Sequence, residues 1–171
     1  MAVSVDRVIV TRSEAETAWL GEAIAVHARR GDVVALLGDI GAGKTVFARA
    51  FIRALTNPDE EVPSPTFTLL QTYDGPDCPI YHFDLYRIAD ADEALELGIE
   101  DAFANGISLI EWPERIDAVR DDTRLTIHIG ADGRNPSDRV ITVQPGATWI
   151  DRLASLPELP PASQSAMPNE R

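Results

Sequence analysis

Lysine is nearly missing from this chain: Lys44 is the only one in 171 residues, and the other cationic side chains are arginines. That argues against a guanine-specific switch, whose usual base-reading Asn-Lys-x-Asp motif needs a second lysine. Cysteine is as scarce. Cys78 stands alone, so no internal disulfide framework exists and a reducing compartment is expected. Positive charge is in deficit overall, with 15 Lys and Arg against 28 Asp and Glu and a net charge of −13. A surface that grips nucleic acid broadly by counterion release needs clustered cations, so any direct contact with nucleic acid has to be local. Long apolar runs are absent too. Nothing is long enough to span a bilayer, and near the N-terminus Asp6, Arg7 and Arg12 interrupt the short apolar stretches where a signal peptide would need a continuous core. The expectation is a cytoplasmic protein with no membrane association.

Against these absences stands one stretch, Gly38-Asp39-Ile40-Gly41-Ala42-Gly43-Lys44-Thr45. It fits the phosphate-loop pattern of two spaced glycines followed by Lys and Thr. Upstream, Val33 to Leu37 is a short apolar run. Downstream, Phe47, Phe51 and Leu55 recur at helical spacing. A loop between a buried strand and a helix is the context this motif needs. Glycines let successive amide N–H groups converge on phosphate oxygens, and the positive end of the helix dipole reinforces them. Lys44 adds a point charge for the outer phosphates, and Thr45 offers a hydroxyl to a hard cation such as Mg²⁺.

Read in order, Val3 to Val10 alternates as a first strand at a sheet edge. Ser13 and Glu16 form a capping box for a helix to about Arg30. After the loop helix, Val62-Pro63-Ser64-Pro65-Thr66-Phe67-Thr68 is stiffened by its prolines. It presents hydroxyls, of which Thr66 is a candidate for a metal or terminal phosphate, with Ser64 behind it. Strands are expected from Phe67 to Tyr73 and from Pro79 to Phe83, the second ending in Asp84. Asp90 and Glu93 cap a helix through Leu97 that Gly98 stops, and Ile99 to Ala104 is a further helical turn. Ile107 to Ile110 is a buried strand closed by Glu111. Two carboxylates, Asp84 and Glu111, thus follow apolar strands where ligands bind in α/β sheets. They compete for, or share, the role of holding Mg²⁺ and orienting a water. Arg124 to Gly130 and Arg139 to Val143 are further strands, joined by a turn that carries Arg134. Thr148 to Leu156 forms a closing helix, and the Pro-rich remainder reads as a flexible tail. The prediction is one domain over residues 1–155 and a tail over 156–171. The fold class is α/β, a three-layer P-loop fold with a mainly parallel central sheet and added antiparallel strands.

The phosphate loop, the Ser64-Pro65-Thr66-Phe67-Thr68 segment, His82-Phe83-Asp84-Leu85-Tyr86-Arg87 and Glu111-Trp112-Pro113-Glu114 occur in that order. Together they resemble the TsaE (YjeE) family of small P-loop ATPases of tRNA threonylcarbamoyladenosine biosynthesis. The resemblance implies ATP as nucleotide, Mg²⁺ held by Thr45 and Glu111, a switch-like loop around Thr66, an important role for Asp84 and a nucleotide-adjacent Trp112. It also implies partners, the TsaD and TsaB proteins, through which tRNA would be met indirectly. Val46 departs from the second threonine common in the family. The nucleotide-contacting set is then Thr11, Ser13, Asp39, Gly41, Ala42, Gly43, Lys44, Thr45, Val46, Thr66, Trp112 and Arg134, with Thr11, Ser13 and Arg134 offered for the base. The catalytic set is Lys44, Asp84 and Glu111, and Thr45, Glu111 and Asp84 are offered to the metal.

Two other functions fit the same loop. A small-molecule kinase would pass the outer phosphate to an acceptor, although no arginine cluster resembling its usual lid is evident. A non-hydrolytic assembly module would use ATP only to stabilise a docking surface.

Overall fold

The structure, a computed structural model, describes residues 5–116 and 122–159. In chain order its elements are β1 (Arg7–Thr11), α1 (Glu14–Ala25), β2 (Val33–Leu37), α2 (Lys44–Leu55), β3 (Leu70–Asp74), β4 (Pro79–Asp84), α3 (Ala91–Glu96), α4 (Ile99–Asn105), β5 (Ile107–Glu111), β6 (Arg124–Ala131), β7 (Arg139–Pro145) and α5 (Ile150–Leu153). Single 3₁₀ turns occur at Pro113–Arg115 and Ala147–Trp149. The strands form one sheet in the order β1-β7-β6-β2-β5-β4-β3. Its centre, β6-β2-β5-β4, is parallel. The outer pairs β1/β7, β7/β6 and β3/β4 are antiparallel. The three-layer α/β expectation holds, and β1 does lie at an edge.

Alternation along the strands sorts side chains between two helical layers. Val34 and Leu36 of β2, Ile80 of β4, and Ile107 and Leu109 of β5 bury against Leu20 and Ile24 of α1 and Phe47 and Phe51 of α2. Val33, Phe83 and Ile110 point the other way, toward Ala94 of α3 and Ile99 and Ala102 of α4. His82, Asp84 and Glu111 fall by the same period on the α1/α2 face. The pairing Asp84↔Glu111 sets the two acids side by side at the C-terminal ends of β4 and β5.

Several boundaries differ from expectation for local reasons. The first helix stops at Ala25 rather than near Arg30, because the following turn folds back around Asp32. The Arg29 N–H donates to Asp32 Oδ2 at 2.7 Å, and Arg152 donates to the His27 carbonyl at 2.7 Å. The strand expected from Phe67 starts only at Leu70, since Leu69 is left-handed at φ 65° and closes a turn on the Pro65 carbonyl. The closing helix begins as a 3₁₀ turn and ends at Leu153. Leu156, expected to open the tail, is buried in the core. The rest of that tail from residue 160, and the start of the first strand at Val3 and Ser4, lie outside the described residues.

Helix α5 is tied to the base of the sheet by a buried ion pair. Arg152 reaches Asp32 with both terminal nitrogens, at 2.6 and 2.9 Å, and its guanidinium stacks 4.1 Å from the Trp149 ring. Removing one partner of a buried pair strands the other's charge. Asp32→Ala is expected to cost about 3 kcal/mol in urea unfolding while leaving ligand affinity at the far end of the sheet unchanged.

Candidate functional site

The loop after β2 takes its shape from its glycines. Gly38, Gly41 and Gly43 have φ values of 147°, 78° and 113°, backbone that other residues adopt at a cost. At Gly38 a Cβ would also meet the Ile129 carbonyl oxygen at 2.4 Å. Gly43 in the left-handed region turns the chain directly into α2. The helix therefore opens with Lys44 and Thr45, its unpaired amides facing the loop's hollow.

Four polar side chains converge there from three separate segments. Lys44 is buried and donates from Nζ to the Gly38 carbonyl and, at 2.9 Å, to the Asp39 carbonyl. Its ammonium also sits 4.2 Å from the Trp112 ring centroid. Burial pushes the Lys44 pKa below its ordinary value, opposed by the negative charges of Glu111, Glu114, Asp84 and Asp39. Thr45 Oγ1 donates to Glu111 Oε1 at 3.0 Å. Asp84 is buried and accepts the Tyr86 amide at 3.0 Å. Desolvation raises the Asp84 pKa and nearby Glu111 raises it further, while the Tyr86 hydrogen bond, His82 and Lys44 act the other way.

These groups line a cavity of about 440 Å³, together with Gly41, Ala42, Gly43, Val46, Thr66 and Trp112. Ser64 and Thr66 face it with their hydroxyls paired at 2.7 Å. The loop carrying them is fastened to the acids' end of the sheet, because the Leu69 carbonyl accepts the Asp84 amide at 2.9 Å. Trp112, directly after Glu111, is itself left-handed at φ 61° and lies 4.8 Å from the Tyr86 ring. Non-glycine residues held in that region concentrate at ligand clamps and switch segments.

Most of the expected residues are thus brought together, and Thr11, Ser13, Asp39 and Arg134 are not among those lining this cavity. Thr11 is fully buried, with its hydroxyl spent on Thr17 at 2.9 Å. Arg134 is 87% exposed and lies 4.0 Å from Asp132 in its turn. Asp39 is exposed and meets the site through its carbonyl. Ser13 caps α1 by accepting the Glu16 amide. It also lines a second depression of about 170 Å³, which shares Glu14, Gly41, Ala42, Gly43 and Val46 with the first and adds Thr17, Ser137 and Arg139.

Arg139 is the residue that the sequence did not single out. From the start of β7 its Nε donates to the Ala42 carbonyl at 2.9 Å, and Nη1 donates to the Pro136 and Asp138 carbonyls. The phosphate loop is thereby braced from a strand 97 positions away. Glu14, Tyr86 and Arg87 also line the main cavity. For Tyr86 and Arg87 the signal was present, since they lie two and three residues after Asp84. Among the described residues no group of three or more His, Cys, Asp and Glu could enclose a metal ion by itself, and no helix is long and apolar enough to cross a membrane.

Comparison with known proteins agrees with this arrangement. Residues 11–141 match the family model described as threonylcarbamoyl adenosine biosynthesis protein TsaE. A tRNA threonylcarbamoyladenosine biosynthesis protein TsaE from Rickettsia felis is 35% identical over 150 residues, 87% of this chain and 88% of its own. One from Bacillus subtilis is 37% identical over 128 residues, 74% and 79% of the two chains. A crystal structure of Bacillus subtilis YdiB superimposes with a TM-score of 0.72 at 30% identity, covering 90% of this chain and 95% of that one.

Proposed function

Since the chain belongs to the threonylcarbamoyl adenosine biosynthesis protein TsaE family, we propose that it is the Mg²⁺-dependent ATP-hydrolysing subunit supporting threonylcarbamoyladenosine formation on tRNA, working with TsaD and TsaB counterparts in the cytoplasm. The observation carrying this reading is the convergence of Lys44, Thr45, Asp84 and Glu111 on one cavity beneath the loop amides. We take residues 1–155 as the ATPase unit, with Leu156 buried against its core.

The donor set suits magnesium. One hydroxyl and two carboxylates, from Thr45, Asp84 and Glu111, are hard oxygen ligands of the kind such an ion prefers. Thr45 and Glu111 would hold it, with Asp84 beside them, and when bound it would neutralise charge on the transferring phosphoryl group. The residues do the rest. Lys44 exchanges its bonds to the Gly38 and Asp39 carbonyls for phosphate oxygens, and the amides of Gly41 to Thr45 surround the outer phosphates. Asp84 or Glu111 orients the attacking water. Thr66 approaches the terminal phosphate from the stiff loop. The second depression, lined by Ser13 and Arg139, offers space for the rest of the nucleotide. The net charge of −13 fits a subunit that leaves tRNA contact mainly to its partners.

Product analysis tests the reading against its closest rival. With [γ-³²P]ATP, Mg²⁺ and the TsaD and TsaB counterparts, label is expected as inorganic phosphate, and ATP is expected to change retention of those partners in a pull-down. Label on a small-molecule acceptor would establish a kinase instead. Because Lys44 is the sole lysine, an amine-directed reagent reports on one side chain once the α-amino group is subtracted. ATP should protect it.

A further inference from the structure

His82 has no part in the scheme above, yet its position is unlike that of an ordinary core histidine. It lies mid-strand in β4, fully buried, on the same face as Ile80 and Asp84. An aliphatic side chain there would satisfy the core without the cost of burying an imidazole. Instead Nε2 lies 3.0 Å from Glu111 Oε1, the same oxygen that accepts the Thr45 hydroxyl at 3.0 Å. Glu111 Oε2 takes no hydrogen bond among the described residues. Nδ1 of His82 has no partner among them either, so the ring's one strong interaction is with this carboxylate. A carboxylate only accepts, so the imidazole presents Nε2–H to it.

We propose that His82 is a positioning residue for Glu111, and through Glu111 for the Thr45 hydroxyl. The Nε2–H bond fixes the rotation of the carboxylate. Oε1 then draws the Thr45 proton toward the sheet, which turns the hydroxyl's lone pairs toward the cavity where a magnesium–phosphate unit would sit. Without the imidazole donor the carboxylate would be free to rotate, and the hydroxyl would lose its fixed acceptor. Removing a hydrogen bond that orients a metal's ligand commonly costs about 10- to 100-fold in metal affinity. The inference rests on the proposed nucleotide site, and the two can fail separately.

Three variants of the full-length protein test it. His82→Gln keeps an amide donor near the Nε2 position, His82→Asn withdraws it toward the ring's Nδ1 position, and His82→Leu removes it. Titrating Mg²⁺ into protein with a fluorescent ATP analogue gives the concentration that half-maximally tightens binding, and the same analogue in EDTA gives Mg²⁺-free affinity. The half-maximal Mg²⁺ concentration is expected to rise about 10- to 100-fold in Asn and Leu variants. It should stay near wild type in the Gln variant, with affinity in EDTA unchanged in all three. If Leu does not fold, the Gln and Asn pair carries the test. Equal Mg²⁺ dependence in folded Asn and wild-type proteins would overturn the positioning role, as would a Gln variant no better than Asn. Wild-type protein that binds no nucleotide at all would remove the underlying site, and this role with it.

Discussion

Lys44→Ala is expected to weaken ATP binding by about 100-fold, because the substitution removes a charge-assisted contact of about 1.5–3 kcal/mol in a site largely shielded from water. The ammonium is already aimed at the cradle. It bonds the Gly38 and Asp39 carbonyls that frame the loop and lies over the Trp112 ring, so anionic phosphate oxygens would replace neutral carbonyl partners without exposing the charge. The surroundings make the loss worse than a missing bond. Asp84 and Glu111 are both buried beside it, and without a cation they would face an incoming polyanion with uncompensated negative charge. Lys44→Arg should not restore binding, since a planar fork does not fit where a compact ammonium points between two carbonyls. Lys44→Met, which keeps the aliphatic stem, separates lost charge from lost packing and should behave like the alanine variant. Isothermal titration with ATP and Mg²⁺ decides the matter. Wild-type affinity in either the alanine or the methionine variant would mean that the loop does not bind phosphate through this residue.

Much of this arrangement was legible beforehand where the chemistry is local. The loop glycines, Lys44 and Thr45 are contiguous, and the conformation they need is written in their residue types. Asp84 and Glu111 each end an apolar strand, and parallel pairing of such strands places their C-terminal acids together. What escaped depends on pairing or on strain. Arg139 reaches Ala42 only because β6 runs parallel to β2 up to the phosphate-loop end of the sheet and β7 starts there, and no spacing in the sequence encodes that placement. His82 occupies an inward-facing position among apolar neighbours, where alternation predicts burial but not a carboxylate partner. Thr11 and Arg134 lie apart from the cavity that the other expected residues line. Their side-chain chemistry suited a nucleotide base, but one hydroxyl is consumed by Thr17 and the other side chain stays in an exposed turn. The left-handed backbone of Leu69, which delays β3 and ties the hydroxyl-bearing loop to Asp84, has no residue-type signature, because leucine has no preference for that region.

Asp84→Asn is expected to lower ATP hydrolysis by about 10²- to 10⁴-fold, the range for removing a positioned general base, while ATP binding is retained. The amide preserves the acceptor for the Tyr86 backbone N–H, so the turn after β4 should survive. What disappears is a carboxylate whose pKa burial has raised, which makes it a better proton acceptor than a solvated aspartate. The same shift predicts a stability slope in the ligand-free protein. A carboxyl with a folded-state pKa above its unfolded value holds its proton more tightly when folded, so its contribution is greatest at low pH. That contribution is lost as pH rises from the ordinary carboxylate range through the raised value. Urea unfolding of the wild type against Asp84→Asn should therefore show this component only in the wild type. The variant also separates the two remaining views of what ATP is for. If tRNA modification by the reconstituted assembly falls in step with hydrolysis, turnover drives the cycle; if modification persists while hydrolysis is lost, ATP acts by stabilising a docked state, and Asp84 serves a reaction that the assembly does not need. Hydrolysis unchanged in Asp84→Asn would instead leave Glu111 as the carboxylate that orients the water.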